Sequence, residues 1–276
     1  MSLAMLRDVL ATSPHHVSPF LMLGDPTPDI CVALCLELVA AGATMLELGL
    51  PYADPCADGP AVQAAGIRAR DAGVSTDEAI ATLAAIRAAC PNTPLNLLVY
   101  GNLVHARGFD HFCRDVVDAG ASSMLVPDIP LEEGAALRAA ATDHGLGNVL
   151  FAGPRTRDER LRAIAAASSA FVYLAGHQGV TGAKSGGEDR AVMVARVRRQ
   201  VAVPLCVGFG LSTREHMQTV HGSGAEIAVV GSHLLRVLAR ALDHHASQEQ
   251  LLAAVRSAFE ELLPAQRRSQ ETPSCS

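Results

Sequence analysis

Eight short apolar runs, each followed by a segment with helical spacing, constrain the fold of this 276-residue chain more than any other feature. The runs are Pro19–Leu23, Met45–Leu48, Leu95–Tyr100, Ser123–Val126, Asn148–Ala152, Phe171–Leu174, Pro204–Val207 and Ile227–Val230. Strands that are apolar throughout are buried on both faces, as in a parallel sheet covered by helices. A short amphipathic helix, Leu3–Leu10, precedes the first run, and Pro28–Ala41 has helical spacing that stops at Gly42. Further helices are expected from about Pro60, after Ser75, near Phe109–Ala119, up to His144, up to about Gln200, and after the eighth run. Ser75-Thr76-Asp77-Glu78, Thr156-Arg157-Asp158-Glu159 and Ser212-Thr213-Arg214-Glu215 have capping-box spacing. Eight strand–helix units in one chain of this length predict a (β/α)₈ TIM barrel over residues 1–263, with a disordered polar tail over 264–276. The alternative, an open doubly wound sheet, carries a glycine-rich turn after its first strand. Here that strand ends in Gly24-Asp25-Pro26, and the glycines gather after strands six, seven and eight.

Charge and composition exclude several classes of function. A net charge of −6 and a pI near 6.0 give no general attraction to nucleic acid or anionic membrane. No apolar run reaches the ~18 residues of a membrane span, and Met1–Pro14 lacks the apolar stretch of a secretory signal. Seven cysteines without a CxxC pair suggest neither a disulfide framework nor a zinc site. Cys31 and Cys35 share one helical face and read as small core residues. A reduced, cytoplasmic protein is expected.

In a TIM barrel the active site lies at the C-terminal ends of the strands. Glu47, Asp58, Tyr100, Asn102, Asp128 and Tyr173 all fall there. Glu47 interrupts an apolar run, and alternation sends its side chain opposite to Leu46 and Leu48. If the leucines face helices, the carboxyl faces the interior, where desolvation favours its protonated form and proton exchange near neutrality. A strand glutamate can equally be satisfied by an arginine or a backbone group. Gly208-Phe209-Gly210 and Gly231-Ser232 follow the seventh and eighth strands, where barrels commonly bind phosphate. Neither motif holds a Lys or Arg, so backbone N–H groups and a helix N-terminus are the expected anion ligands. These glycines could also serve only tight turns. Lys184, in the long sixth loop, is the one lysine, which leaves no rigid strand lysine for a Schiff base. The histidines are scattered, with His15-His16 and His244-His245 expected to face solvent, so no metal site is expected. Carboxylate acid–base chemistry on a phosphorylated substrate, without a cofactor, remains.

Six motifs then occur in order: ELGLPYADPCADGP (Glu47–Pro60), LLVYGNL (Leu97–Leu103), VPDIPLEE (Val126–Glu133), GVTGA (Gly179–Ala183), VGFG (Val207–Gly210) and VVGS (Val229–Ser232). Together, over about Pro19–Leu263, the chain resembles the α subunits of tryptophan synthase, the indole-3-glycerol-phosphate lyase family. The resemblance implies a (β/α)₈ barrel that cleaves indole-3-glycerol phosphate into indole and glyceraldehyde 3-phosphate for tryptophan biosynthesis. It implies Glu47 as catalytic acid/base and Asp58 as the catalytic aspartate, with Thr181 bonded to that aspartate. Phe20, Leu98, Leu125 and Tyr173 match the indole pocket, beside Tyr100. Gly182, Gly208, Gly210, Gly231 and Ser232 match the phosphate cradle. Loops bearing Pro51, Asp54, Asn102 and Pro130 match the face toward a β subunit.

The chain departs from the family pattern at a few positions. Gly176-His177 stands where Ser-Arg is common, which predicts a looser closure of the sixth loop. Ala53, Cys56 and Met22 replace a usual Ser, Leu and small residue. Two other functions fit the same motifs: a stand-alone lyase releasing free indole, or a non-catalytic barrel that binds and activates a β subunit. The intact Glu47 and Asp58 argue against the second.

Overall fold

The eight apolar runs pair in parallel and close into a ring in the order β1-β2-β3-β4-β5-β6-β7-β8, a (β/α)₈ barrel. The computed structural model describes residues 2–176 and 187–264. The first half contains α1 (Ser2–Thr12), β1 (His16–Met22), α2 (Pro28–Ala40), β2 (Leu46–Gly49), α3 (Pro60–Asp71) and α4 (Thr76–Ala89). It continues with β3 (Leu95–Leu98), α5 (Gly101–Arg107), α6 (Phe109–Asp118) and β4 (Ser123–Leu125). Then follow α7 (Ala135–Asp143), β5 (Gly147–Ala152), α8 (Asp158–Ala167), β6 (Val172–Leu174) and α9 (Gly187–Arg198). The chain closes with β7 (Leu205–Val207), α10 (Arg214–Gly222), β8 (Ile227–Val230), α11 (Ser232–Asp243) and α12 (Gln248–Glu260). Among the described residues, no helix is long and apolar enough to cross a membrane.

The strands are short and nearly all of their residues are buried. Strand residues such as Leu46, Leu48, Leu97 and Val207 share one buried core with Leu34 and Leu38 of α2, Leu83 and Ile86 of α4 and Val194 of α9. Local chemistry sets several helix starts. Ser75 and Glu78 close a reciprocal box on α4, with Ser75 N–H donating to Glu78 Oε2 at 2.7 Å. Thr27 caps α2 by accepting from Ile30 N–H at 3.4 Å, with Pro28 at the first helical position.

Several expected features are corrected. The sequence 156–159 forms no box: Thr156 Oγ1 instead accepts from Gly153 N–H at 2.9 Å, and Arg157 is the cap residue of α8. At α10 the cap is Thr213 rather than Ser212, accepting from His216 N–H at 3.2 Å. The third strand stops at Leu98, because Tyr100 caps a helix, α5, that apolar spacing did not reveal. Asp128 Oδ1 accepts from Gly101 N–H at 2.8 Å and satisfies one of the free donors of that helix. His16 opens β1 and is fully buried, not solvent-facing, and its Nε2 lies 2.7 Å from Ser13 O. The tail beyond residue 264 lies outside the described residues.

One ion pair braces the catalytic end. Asp25, 2% exposed in the loop after β1, receives two bonds from Arg68 of α3, at 2.8 and 2.7 Å. Such forked pairing fixes both distance and plane. Because α3 starts two residues after Asp58, the pair anchors the helix on which that loop ends.

Candidate active site

Glu47 is in register with Phe20 of β1 and Asn96 of β3. Its neighbours Leu46 and Leu48 are fully buried among the helices, so the carboxyl faces the interior of the barrel. Only 4% of the residue is exposed. Tyr173, on β6 at the opposite side of the ring, donates its hydroxyl to Glu47 Oε1 at 3.2 Å. Burial pushes the Glu47 carboxyl up to about 8; the Tyr173 hydrogen bond pulls it back in part, and the Asp58 charge pushes it further. At neutral pH this group therefore holds a proton that it can release.

Asp58 sits in the loop between β2 and α3, and its position is set by several bonds. Its N–H donates to Pro55 O at 3.1 Å, and Gln63 Nε2 donates to its carbonyl at 2.8 Å. Tyr100 Oη accepts from Ala57 N–H at 3.1 Å and donates to the Asp58 carboxylate. Burial raises the Asp58 carboxyl to about 6, with the Tyr100 bond opposing. Asp58 is thus mainly ionised at pH 7 while Glu47 is mainly protonated, two carboxyls pushed apart by their surroundings. Tyr100, matched to the substrate pocket, has its hydroxyl engaged in holding this loop. Its ring stacks on Tyr52 at 5.1 Å, and Asn102 Nδ2 donates to Tyr52 Oη at 3.1 Å.

The apolar residues matched to the indole pocket lie on β1, β3, β4 and β6 of the same ring. Phe20, Leu125 and Tyr173 are buried at the strand ends and Leu98 is half-buried. Phe20 needs small neighbours: a Cβ at Gly49 would lie 2.7 Å from its ring, and one at Gly231 would lie 3.1 Å from its Cβ. Met22, one of the departures, reaches the same place, with Cε 3.2 Å from a Cβ at Gly49. Phe151 of β5 was missed by sequence reasoning. It is in register with Tyr173, and their rings are 5.1 Å apart. The available signal was its position one residue before the end of an apolar strand, as for Tyr173.

The glycine motifs occupy the expected turns. Gly208 and Gly210 directly follow β7, and Gly210 has φ +64°, a conformation that favours glycine. A side chain at Gly208 would overlap the Tyr173 hydroxyl, so this turn also keeps the path of Tyr173 to Glu47 open. Gly231 caps α11 and Ser232 is its first residue, where backbone N–H groups lack intrahelical partners. Gly176 packs beside Phe209, 2.8 Å from its ring measured from a Cβ position. Thr181, Gly182 and His177, with the closure expected of their loop, lie outside the described residues. Of the residues matched to a partner face, Asp54, Asn102 and Pro130 are exposed and Pro51 is half-buried.

The structure thus brings two carboxyls with raised pKa values, buried apolar side chains and two glycine turns to the C-terminal ends of the strands. The family model described as "Tryptophan synthase alpha chain" matches residues 6–264. The tryptophan synthase alpha chain of Corynebacterium aurimucosum is 38% identical over 243 residues, covering 87% of this chain and 88% of its own. That of Pectobacterium atrosepticum is 40% identical over 252 residues, covering 87% and 92%. Among solved structures, a chain of the Pyrococcus furiosus tryptophan synthase α2β2 complex matches with TM-score 0.82 and 30% identity, over 90% of this chain and 97% of that one. A chain of Mycobacterium tuberculosis tryptophan synthase matches with TM-score 0.80 and 30% identity, over 95% and 98%.

Proposed function

The chain belongs to the tryptophan synthase alpha chain family, and from that premise we propose that Glu47 and Asp58 carry its reaction, the cleavage of indole-3-glycerol phosphate. The observation that supports these roles best is the pair of unlike carboxyls, one held protonated by burial and one ionised, at one barrel mouth. Glu47 gives its proton to indole C3. The ring then carries positive charge toward its nitrogen, and the Asp58 carboxylate accepts a hydrogen bond from the indole N–H and stabilises that charge. Glu47, now a carboxylate, takes the proton of the glycerol hydroxyl on the carbon attached to C3. The C–C bond breaks, its electrons restore the indole ring, and the hydroxyl carbon becomes the aldehyde of glyceraldehyde 3-phosphate. The acid is regenerated in its protonated form, so the cycle needs no cofactor or external proton.

The indole fits between Phe20, Leu98, Leu125 and Tyr173, and the phosphate fits on the turns of Gly208, Gly210, Gly231 and Ser232. Pro51, Asp54, Asn102 and Pro130 form the contact face for a β subunit, by analogy with the Pyrococcus furiosus complex. The tie from Asn102 through Tyr52 and Tyr100 to Asp58 gives such a partner a direct route to the catalytic loop. The reading is of a cytoplasmic enzyme whose catalytic domain spans residues 1–263. The purified chain, given indole-3-glycerol phosphate, should form indole and glyceraldehyde 3-phosphate in equal amounts, and faster with a β chain present. No indole under either condition would refute the reading. Full activity that no β chain alters would favour a stand-alone lyase.

A further inference from the structure

Arg190, in the first turn of α9, is a buried cation left without a counter-charge. It is 3% exposed, and no carboxylate pairs with it among the described residues. Its Nη2 donates to the carbonyl of Gly210 at 3.1 Å, but Nε and Nη1 are buried with no hydrogen-bond partner. The guanidinium carbon lies 5.9 Å from the centre of the Phe209 ring. A Cβ at Gly210 would lie 2.7 Å from Nη2, so the head group rests directly on the turn after β7. Nearby His216 feels the same cation and holds its own proton less tightly, after burial, because of it. Among the described residues only Arg214 also has a buried guanidinium atom, its Nε, without a partner, whereas desolvated Arg87 spends its donors on the carbonyls of Gly120, Cys90 and Pro91. Arg68 forks onto Asp25, and Arg198 lies 2.8 Å from Glu226 Oε1 and donates to backbone carbonyls as well.

Removing a guanidinium from water without an anion opposes folding, and burial lowers its pKa accordingly. Unpaired donors of this kind are rare and need an explanation. An anion seated on the Gly208–Gly210 turn would supply one. We infer that Arg190 is a phosphate-binding residue: it fixes the glycine turn through the Gly210 carbonyl and offers its two free donor atoms and its charge to a phosphate monoester dianion. The inference rests on the reading that the substrate phosphate binds at the turns after β7 and β8. Backbone N–H groups alone were expected there, because neither glycine motif contains a basic residue. The chain supplies the charge from the helix before the strand instead, where no motif search along the strand ends would find it. A guanidinium also suits this place better than an ammonium, since its planar fork can hold a carbonyl and a phosphate oxygen together.

Glycerol 3-phosphate serves as the probe, with indole as the control that lacks phosphate. Arg190→Gln keeps a donor for Gly210 and removes the charge. In calorimetric titration of the full chain it should weaken glycerol 3-phosphate on the order of 10-fold to 100-fold and leave indole affinity unchanged. In turnover it should raise KM for indole-3-glycerol phosphate by a similar factor with kcat changed by less than about 3-fold. Arg190→Lys, which restores a charge without the fork, should recover part of the loss. A folded Arg190→Gln variant with wild-type affinity and KM would overturn the inference, since a purely structural arginine would not split the phosphate ligand from indole. A crystal structure of the wild-type chain with glycerol 3-phosphate decides the matter whether or not the variants fold. Phosphate on the turn with Nε or Nη1 donating to it, directly or through one water, is the expected result. Phosphate on the turn with both atoms still unpaired defeats the role of Arg190 alone, whereas phosphate bound elsewhere defeats the reading beneath it.

Discussion

Tyr173 of β6 reaches across the barrel to donate its hydroxyl to Glu47 Oε1 of β2 at 3.2 Å. The bond favours the charged form of Glu47, against a burial effect that favours the neutral form. Tyr173 thus limits how strongly the acid holds its proton. A carboxyl that held it more tightly would be a poorer donor to indole C3 at neutral pH.

Tyr173→Phe should therefore move the Glu47 pKa upward from about 8, by on the order of one unit for one lost hydrogen bond to a charged group. The alkaline limb of kcat/KM against pH should shift up correspondingly. An unmoved limb would mean that the hydroxyl does not tune the acid.

The wild-type profile of kcat/KM should be bell-shaped. Activity rises as Asp58 ionises near 6 and falls as Glu47 loses its proton near 8. Asp58→Asn should remove the acid limb and lower turnover by about 10²-fold or more, because its neutral amide cannot balance charge on the indole nitrogen. An acid limb that persists in Asp58→Asn would assign it to another group.

Gly208→Ala tests how the two halves of the site share space. The new methyl would overlap the Tyr173 hydroxyl, so the ring must turn away from Glu47 or the turn must move. Turnover and KM should both worsen, in contrast to Gly210→Val, where the strained φ of +64° and the contact with Arg190 should raise KM chiefly. Wild-type kinetics in Gly208→Ala would contradict the packing.

Stability carries the same signature. The folded chain holds the Glu47 proton up to about 8, whereas the unfolded chain releases it near the ordinary value of 4.5. Between those values the folded state binds more protons, so stability falls as pH rises. Below the window Glu47→Gln and wild type should unfold alike. Through it the variant should gain, levelling above pH 8 at an advantage on the order of a few kcal/mol. Urea unfolding at pH 4.5, 6 and 8.5 measures this, and a constant difference would show that Glu47 is not desolvated.

Much of this was legible in the sequence, for physical reasons. Parallel strands are buried on both faces, so Leu46, Leu97 and Val207 announced their strands as unbroken apolar runs, and Glu47 stood out against one of them. The glycines at 208, 210 and 231 announced turns where only a missing Cβ lets chains approach. Other features depend on distant partners and left no local mark. The helix α5 begins where it does because Asp128, 27 residues away, accepts from Gly101. Thr156 had the right spacing for a cap, but Gly153 N–H competed for its hydroxyl. Phe151 enters the pocket through its register with Tyr173, and Arg190 reaches the glycine turn from a neighbouring helix. Neither relation exists until the barrel closes.

The most direct test of the account is the rate of indole formation from indole-3-glycerol phosphate by Glu47→Gln. The amide keeps the size of the carboxyl and can still accept from Tyr173, but it cannot pass a proton to C3. Turnover should fall by about 10²-fold or more, with the fold intact by circular dichroism. Turnover near that of wild type would contradict the central claim that the buried Glu47 carboxyl is the acid and base of the reaction.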